Sequence, residues 1–265
     1  MRQNKIYDDQ LIVITGAAGM IGSCVARYLN DQGLFNLLLV DDLKCCDKWK
    51  NLVGKRFVDI VSRYEIFDML DQLESQVEAI IHLGACSDTT ETDADYLLDN
   101  NYRFSIKLAE YALKNEQRFI YASSAATYGD GAQGFLDDEK KLETLQPLNM
   151  YGYSKHLFDL WLKNEKLLGQ VIGLKYFNVF GPNECHKGKM ASVVYKMTHK
   201  ILKEGRLQLF KSNDPQKYKD GEQMRDFIYV KDAARMTCVL LDDAFKDIGG
   251  IFNIGSATPA TWNDL

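Results

Sequence analysis

Tyr151 and Lys155 are the residues whose types and spacing most directly suggest chemistry. They stand four positions apart in a stretch with a helical pattern, so they share one face of the helix. A lysine ammonium beside a phenol stabilises the phenolate and lowers the pKa of the tyrosine. Such a phenol can take a proton from a substrate alcohol while a hydride leaves the same carbon. Ser124, at the end of an apolar run, can hydrogen-bond the carbonyl that develops.

The hydride needs an acceptor. A glycine-rich turn near the N-terminus is typical of proteins that bind a dinucleotide able to accept it. The run Thr15-Gly16-Ala17-Ala18-Gly19-Met20-Ile21-Gly22 lies between an apolar run and a helical pattern. Gly16 permits a tight turn, Gly19 lets a phosphate approach bare backbone, and Gly22 lets the helix pack closely on the strand. The helix N-terminus then offers free amide groups to a pyrophosphate. The pattern predicts a dinucleotide site, and the alternative is a glycine-rich turn that binds nothing.

The residues after the second predicted strand leave the choice of dinucleotide open. Asp41 and Asp42 end this strand, and Asp41 can accept the adenosine ribose hydroxyls, which favours NAD. Lys44, Lys48 and Arg63 follow, and cations there can hold the 2′-phosphate of NADP. The alternative interpretation of these cations is a solvated basic loop.

The elements that must position these residues alternate between strands and helices. This alternation predicts an α/β fold, a Rossmann-type doubly wound parallel sheet with a smaller C-terminal substrate lobe. The predicted division is 1–176 plus 225–254 for the dinucleotide-binding domain, and 177–224 plus 255–265 for the substrate lobe. The predicted strands are Leu11–Thr15, Leu37–Asp41, Lys55–Val58, Ala79–Leu83, Arg118–Ala122, Val171–Phe177, Asp226–Val230 and Ile251–Ile254. The predicted helices are Met20–Asp31, Ser62–Leu73, Ala94–Lys114, Met150–Leu168, Met190–Lys203 and one from Asp232.

Composition excludes several classes of protein. The chain has 265 residues and a formal charge of −5, so no basic face for nucleic acid is expected. No apolar run approaches the ~18 residues of a membrane span, and no signal core is present, which predicts a cytoplasmic protein without a membrane partner. Six cysteines and four histidines show no metal-ligand spacing, so we expect reduced thiols and no metal site. His82 is expected to be a packed histidine at a strand end, and Cys86 a small filler. No Gly-x-Ser-x-Gly occurs, which leaves a hydrolase without support.

Several segments together resemble the extended short-chain dehydrogenase/reductases that act on nucleotide sugars. Within this family, Cys86-Ser87 and the His-Lys-Gly followed by Met-Ala-Ser resemble the branch that epimerises an ADP-heptose at C6. The segments that carry the resemblance are His82 through Ser87, Asp99 through Tyr102, Tyr121 through Gly129, Tyr151 through Lys155, Phe177 through Pro182, His186 through Gly188, Met190 through Ser192 and Arg225 through Phe227.

The resemblance implies a role for each matching residue. Tyr151 is one acid/base, Lys187 is its counterpart on the opposite face, Ser124 assists, and Lys155 holds the nicotinamide ribose. The residues implied to bind the cofactor, together with the glycines of the turn, are Gly16, Gly19, Met20, Ile21, Gly22, Asp41, Asp42, Lys48, Arg63, Leu83, Gly84, Ala85, Cys86, Ser87, Asn100, Lys155 and Val179. Those implied to contact the sugar nucleotide are Ser124, Asn178, Lys189, Lys196, Phe210, Lys211, Ser212, Asn213 and Arg225.

The resemblance also implies NADP rather than NAD, a nucleotide-sugar substrate, a homo-oligomer, and a product used in the lipopolysaccharide inner core. Two opposed acid/bases suit an epimerase, because each stereoisomer presents its hydroxyl to a different base. Lys187 needs a lowered pKa for this task, and repulsion from Lys189 can supply it. The residues alone leave open that Lys187 is an ordinary surface lysine.

The sequence departs from the family pattern at several places. Ala17 stands where a second glycine is usual, Lys189 and Lys196 replace other polar residues, and the insertion Ser212–Gln223 is long. Family members continue beyond the position of Leu265, so the substrate lobe is expected to be truncated.

Three alternatives remain beside the heptose epimerase. A 4,6-dehydratase needs an Asp-Glu pair where Ala125 and Ala126 stand, which argues against it. A UDP-sugar 4-epimerase, or another nucleotide-sugar short-chain dehydrogenase, shares the serine and the Tyr-x-x-x-Lys. The Lys187 segment discriminates against it. A non-catalytic dinucleotide-sensing protein commonly lacks the tyrosine or the lysine.

Overall fold

A parallel sheet forms the centre of the molecule. The computed structural model describes residues 10–44, 46–73, 76–209, 211–212 and 214–265. The strands in chain order are β1 (Leu11–Thr15), β2 (Leu37–Val40), β3 (Asp59–Val61), β4 (Val77–His82), β5 (Arg118–Ser124), β6 (Ile172–Tyr176), β7 (Asn178–Phe180), β8 (Met224–Tyr229), β9 (Gly250–Ile254) and β10 (Pro259–Thr261). Within the described residues the central sheet has seven parallel strands in the order β3-β2-β1-β4-β5-β6-β9. The strand order reverses between β1 and β4, which confirms the predicted doubly wound Rossmann-type sheet.

Helices cover both faces of this sheet. They are α1 (Met20–Asp31), α2 (Ile66–Leu73), α3 (Ala94–Leu97), α4 (Phe104–Lys114), α5 (Met150–Asn164), α6 (Val193–Glu204) and α7 (Val230–Val239). Side chains of β1 alternate between the two faces: Val13 packs with α2, α4 and α5, whereas Ile12 and Ile14 pack with α1 and α7. Every residue of β1 is buried, which explains why Leu11–Ile14 are all apolar, and the buried hydroxyl of Thr15 at the end of the strand is hydrogen-bonded to His82.

The edge strand β3 differs from the prediction. The predicted strand Lys55–Val58 is wrong, because the strand instead covers Asp59–Val61 and pairs with β2 alone. An edge strand is covered by one neighbour and needs less apolar sequence, so its position is weakly marked. Val58 is 63% exposed, and its apolar type therefore does not indicate burial.

Some helix boundaries also differ. The helix predicted from Ser62 begins at Ile66, and the helix predicted to end at Leu168 ends at Asn164. The single helix predicted over Ala94–Lys114 contains a π-helical segment, Leu98–Arg103, between α3 and α4. Such segments are frequent at functional sites, because they aim side chains in directions that a regular helix does not allow.

A small second sheet joins the C-terminal segments. β8 pairs in parallel with β7 and antiparallel with β10. The prediction places most of β8 in the dinucleotide-binding domain, whereas β7 and β10, the strands on either side of it, belong to the predicted substrate lobe. The domain boundaries therefore stay a prediction.

Two further observations concern cysteines and helix length. Cys24, Cys46, Cys86, Cys185 and Cys238 are free, and Cys45, weighed as a reduced thiol, lies outside the described residues. In the part of the chain that the structure describes, no helix combines the length and the apolar character needed to cross a membrane.

Candidate active site

Gly16 holds the turn between β1 and α1 in a conformation that requires glycine. Its φ is +66°, and a Cβ there would lie 2.7 Å from the backbone nitrogen of Gly84. A Cβ on Gly22 would lie 2.3 Å from the carbonyl oxygen of Gly16. Ala17 is buried and is not among the residues with positive φ, so its Cβ causes no strain. Bare backbone therefore faces the N-terminus of α1, where amide groups and the helix dipole suit a pyrophosphate.

This turn opens into a cleft of about 430 Å³ at the carboxyl ends of the parallel strands. Every residue predicted to be catalytic or to hold the cofactor lines it. These residues are Gly16, Gly19, Met20, Ile21, Gly22, Asp41, Asp42, Lys48, Arg63, Leu83, Gly84, Ala85, Cys86, Ser87, Asn100, Ser124, Tyr151, Lys155, Val179 and Lys187. A nicotinamide dinucleotide fits both the shape of the turn and the chemistry of this lining.

The residues predicted to contact the sugar nucleotide are placed differently. Apart from Ser124, none of those that the structure describes lines the cleft. They are Asn178, Lys189, Lys196, Lys211, Ser212 and Arg225. Phe210 and Asn213 lie outside the described residues.

The structure adds cleft residues that the sequence reasoning did not assign. Thr15, Ser123 and His186 each precede a predicted residue by one position, so nearness in sequence is a signal that could have found them. Tyr96 gave no signal, because it belongs to a helical pattern with many exposed positions. The full set is Thr15, Val40, Tyr96, Phe104, Ala122, Ser123, Tyr176, Phe177 and His186, and Lys44, which the sequence offered as a partner for a 2′-phosphate, also lines the cleft.

Asp41 is engaged with a lysine at the end of the cleft beside β2. One carboxylate oxygen lies 2.5 Å from Lys48 Nζ, and the other accepts a hydrogen bond of 2.8 Å from the Ala18 amide. The Asp41 carboxylate thus fixes the glycine turn, and Lys48 compensates its charge. This pairing reduces the repulsion that a bare aspartate would exert on a 2′-phosphate.

Arg63 lies in a second cluster at the same end. Its Nε lies 3.2 Å from Asp42 Oδ2, and its Nη1 donates to the side-chain oxygen of Asn100. Ser62 Oγ also donates to Asp42. Asn100 belongs to the π-helical segment, so this segment helps to hold an arginine at the rim of the cleft.

Tyr151 lies in the first turn of α5, where it meets the end of β5. Asn149 caps this helix by accepting a hydrogen bond of 2.8 Å from the Gly152 amide. Burial raises the pKa of Tyr151, and a hydrogen bond with Ser124 partly offsets the rise. The expected lowering of the Tyr151 pKa by Lys155 is not met, because Lys155 is not among the groups that shift this pKa and burial is the largest cause.

Lys155 follows Tyr151 by one turn of α5 and is buried. Burial lowers its pKa to about 8, and the negative charge of Asp159, one turn further on, acts in the opposite direction. Lys155 therefore loses its proton much more readily than an exposed lysine does.

A buried ion pair that the sequence reasoning missed lies behind Lys155. Asp159 and Lys175 are both fully buried, with Lys175 Nζ 3.2 Å from Asp159 Oδ2. Tyr121 OH and Ser123 Oγ donate to the Asp159 carboxylate at 2.9 and 2.7 Å. Lys175 also donates to Thr127 Oγ1 at 2.5 Å. Hydrogen bonds thus engage both carboxylate oxygens of Asp159.

Lys187 reaches the cleft from the 3₁₀ segment Cys185–Met190. Buried Glu184 holds the two ends of this region together by accepting from the Gly181 amide at 2.9 Å and from Ser192 Oγ at 2.8 Å. Burial lowers the pKa of Lys187, and the charge of Glu184 partly opposes this. A lysine with a lowered pKa can act as a base.

Lys189 does not shift the pKa of Lys187 as expected. Its Nζ lies 3.4 Å from Asp88 Oδ2 and donates to Thr90 Oγ1 at 2.9 Å, so it points to the loop after β4. The prediction that Lys189 lowers the pKa of Lys187 by repulsion is wrong, since burial is the cause.

Asn51, in the 3₁₀ segment Asp47–Leu52, joins the glycine turn to the segment that carries Lys187. Its Nδ2 lies 2.9 Å from the Ala18 carbonyl oxygen, 3.2 Å from the Asn183 carbonyl oxygen and 3.2 Å from His186 Nδ1. An amide nitrogen carries two hydrogens, so the last two acceptors compete for one of them.

His82 is packed as expected and forms part of a hydrogen-bonded chain below the cleft. Ser105 Oγ donates to the Asn101 carbonyl oxygen at 2.6 Å and lies 2.8 Å from His82 Nε2. Nε2 is therefore the donor, and Nδ1 accepts from Thr15 Oγ1 at 2.6 Å. Thr15 Oγ1 in turn accepts from the Gly84 amide. Burial lowers the pKa of His82 far below its usual range, which keeps this chain neutral.

Comparisons with known proteins agree with this geometry. The family described as the NAD dependent epimerase/dehydratase family matches residues 12–255. An ADP-L-glycero-D-manno-heptose-6-epimerase of Nitratidesulfovibrio vulgaris is 50% identical over 257 residues, which are 96% of this chain and 79% of the relative. A protein of the same name from Fusobacterium nucleatum is 44% identical over 96% of this chain and 77% of its own length.

Solved structures show the same fold. The crystal structure of Helicobacter pylori ADP-L-glycero-D-manno-heptose-6-epimerase has a TM-score of 0.80 and 28% identity, and the match covers 97% of this chain and 80% of that one. A UDP-N-acetylglucosamine 4-epimerase from Methanobrevibacter ruminantium has the same TM-score of 0.80, the same 28% identity and the same coverage of 97% and 80%. Structural similarity alone therefore does not separate the two substrates.

Proposed function

Because the chain belongs to the NAD dependent epimerase/dehydratase family, we propose that it interconverts ADP-D-glycero-D-manno-heptose and ADP-L-glycero-D-manno-heptose at C6. The observation that carries this proposal is that Tyr151 and Lys187, two proton-transferring groups from different segments, line the same cleft as the glycine turn. The relatives named as heptose epimerases, 44–50% identical over nearly all of this chain, supply the substrate. The product would serve lipopolysaccharide inner-core synthesis.

The cofactor supplies a reversible hydride acceptor when it is bound in the cleft. Inversion then requires the substrate hydroxyl to lose its proton as the C6 hydride leaves, and the resulting ketone to regain both on its other face. Lys187, whose pKa is lowered, is suited to take the hydroxyl proton of one isomer. Tyr151, whose pKa is raised, is suited to return a proton to the ketone oxygen as the other isomer forms. In the reverse direction the two groups exchange roles. Before the next forward turnover Lys187 releases its proton to water and the Tyr151 phenolate takes one up.

Ser124 and Lys155 assist in this scheme. Ser124 hydrogen-bonds Tyr151 in this structure, and with a ketone bound its single hydroxyl hydrogen can be donated to the ketone oxygen instead, which stabilises the developing charge. Lys155 binds the nicotinamide ribose and, once substrate and cofactor exclude water, presents its charge to Tyr151.

We propose NADP as the cofactor. Lys44, Lys48 and Arg63 line the end of the cleft beside β2, against the two carboxylates of Asp41 and Asp42. The excess of one positive charge suits an added phosphate dianion, whereas NAD brings no charge to this position.

The first test measures isomer conversion without added cofactor. Purified protein is incubated with ADP-D-glycero-D-manno-heptose, and the isomers are separated by chromatography. We expect conversion toward the L-glycero isomer and its loss in Tyr151→Phe and Lys187→Met. Lys50→Met is the control, because Lys50 pairs with Asp47 and does not line the cleft, and it should keep activity.

An assay with a second substrate distinguishes the heptose epimerase from the remaining candidate function. A UDP-sugar 4-epimerase is the alternative because its structural similarity equals that of the heptose enzyme. Conversion of UDP-N-acetylglucosamine, with none of the ADP-heptose, would overturn the heptose assignment.

A further inference from the structure

The ion pair of Asp159 and Lys175 is expensive to bury. Removing a carboxylate and an ammonium from water costs several kcal/mol for each ion, and their attraction often does no more than offset that cost. Apolar side chains at these two positions would stabilise the core equally well. The pair lies outside the cleft lining, so it contacts neither substrate nor cofactor. Its neighbours therefore indicate its role.

Both residues are tied to the elements that carry the proposed catalytic groups. Asp159 is on α5 one turn after Lys155, and Lys175 is paired in register with Ser123 across β5 and β6. Ser123 donates to Asp159 and directly precedes Ser124. The network thus joins α5, β5 and β6 immediately behind Lys155.

We propose that Asp159 and Lys175 are positioning residues: Asp159, fixed one helical turn after Lys155 on α5, keeps the buried Lys155 ammonium group charged, and Lys175 keeps Asp159 ionised. This inference rests on the proposed function, since it assigns Lys155 its role at the nicotinamide ribose.

The charges around Lys155 support this assignment. Among the described residues, Asp159 is the group whose negative charge favours the ammonium form of Lys155. Lys175 pairs with the same carboxylate, so without Asp159 neither of these two buried lysines would have an acidic partner in the part of the chain that the structure describes. Of the residues described, the other titratable side chains that interact with Lys155 or Asp159 are His82 on β4, Tyr121 on β5, Tyr128 in the segment Ala125–Tyr128 and His156 on α5.

The neutral state of these neighbours strengthens the argument. Burial lowers the pKa of His82 and of His156, and it raises the pKa of Tyr121. These side chains are therefore uncharged near neutral pH and cannot replace the charge of Asp159. Hydrogen bonds from Tyr121 and Ser123 stop the carboxylate from rotating away.

The test measures the proton equilibrium of Lys155 directly. Protein labelled with ¹³Cε-lysine is titrated by NMR, and Lys155→Arg assigns the resonance by removing it. In Asp159→Asn we expect the midpoint to fall by one pH unit or more, which lowers the ammonium form about tenfold at a given pH above it. An unchanged midpoint would overturn the proposal.

Because Asp159→Asn leaves Lys175 buried without its partner, the double variant Asp159→Asn/Lys175→Met is the structural control. It should fold with normal stability and still show the lowered Lys155 midpoint, whereas Asp159→Glu should restore the wild-type value. A wild-type midpoint in the folded double variant would show that the pair serves only packing.

The titration needs no substrate, so it is independent of the epimerase assay. If wild-type protein converts ADP-heptose, the alkaline limb of the pH profile of kcat should move to lower pH in the double variant. The shift should equal that of the Lys155 midpoint, and KM for the sugar nucleotide should stay unchanged. If wild-type protein converts no heptose, the proposed function fails, and the midpoint still decides the role of Asp159.

Discussion

Lys48 offers the sharpest test of how the cleft selects its dinucleotide. Lys48→Met removes a cation that lies 2.5 Å from Asp41 and lines the end of the cleft beside β2. Two effects act in the same direction. A 2′-phosphate loses a charge-assisted hydrogen bond, and it meets an aspartate whose charge is no longer compensated.

The magnitude follows from these contacts. A hydrogen bond to a charged group is worth about 1.5–3 kcal/mol, which corresponds to about 10- to 150-fold in affinity for NADP. NAD has no phosphate at this position, and the freed Asp41 can accept its ribose hydroxyls. We therefore expect the ratio of Kd for NADP to Kd for NAD to rise at least about tenfold.

The assay is a binding titration of nucleotide-free protein with each cofactor. Lys50→Met is the matched control, because Lys50 lies in the same 3₁₀ segment, pairs with Asp47 at 2.9 Å and does not line the cleft. The reasoning is refuted if the ratio stays unchanged in Lys48→Met, or if Lys50→Met changes it equally.

Three further outcomes follow from buried groups. In Gly22→Ala the new Cβ would lie 2.3 Å from a carbonyl oxygen, so this variant should lose bound nucleotide and about 1–3 kcal/mol of stability. Gly169→Ala is the control, because its Cβ meets nothing within 4 Å, and it should lose neither. Thermal melts and nucleotide assays measure the two effects. Lys175→Met alone should cost about 3–5 kcal/mol in urea unfolding, and adding Asp159→Asn should restore most of it; equal losses would contradict the ion-pair account. The pKa of Lys155 falls from 10.5 to about 8 on folding, so between these values the unfolded chain binds more protons, and stability relative to Lys155→Met should rise from pH 8 to pH 10. A flat difference between the two proteins would show that Lys155 is not buried as described.

Most of the central sheet could be predicted because its strands are buried on both faces. A parallel strand such as β1 is buried at every position and carries an unbroken apolar run, Leu11–Ile14, which is a strong strand signal. The glycine turn was equally clear, since only glycine satisfies the φ of Gly16 and the contact at Gly22. β3 was misplaced because an edge strand is covered on one side and carries a weaker pattern.

The site was predicted where function restricts residue type, and missed where partners come from distant segments. Tyr151 and Lys155 belong to one helical turn, so their spacing shows their relation. In the sequence, Asp159 is one of several polar residues in a helical pattern, and Lys175 is a lysine within an apolar strand. The packing of α5 on β5 and β6 brings them together. A lysine inside the apolar run Val171–Phe177 was the one available signal, because a buried ammonium requires a partner.

The pKa relations were the least predictable part. The sequence suggested that charges tune Tyr151 and Lys187, and the structure shows that burial is the main cause for both. Burial depends on how whole segments cover a side chain, which the neighbouring residues in the sequence do not reveal.

The side-chain amide of Asn51 connects the glycine turn to the segment that carries Lys187. Ala18 lies in the turn suited to the pyrophosphate, and Asn183 and His186 lie in the region that presents Lys187. We expect ordering of the turn by the adenosine diphosphate half of the cofactor to reach the segment that carries Lys187 through Asn51. Binding energy from a part of the cofactor that takes no part in the reaction would then help to align the reacting groups. A cofactor fragment that keeps the nicotinamide but lacks the adenosine would consequently lose turnover as well as affinity.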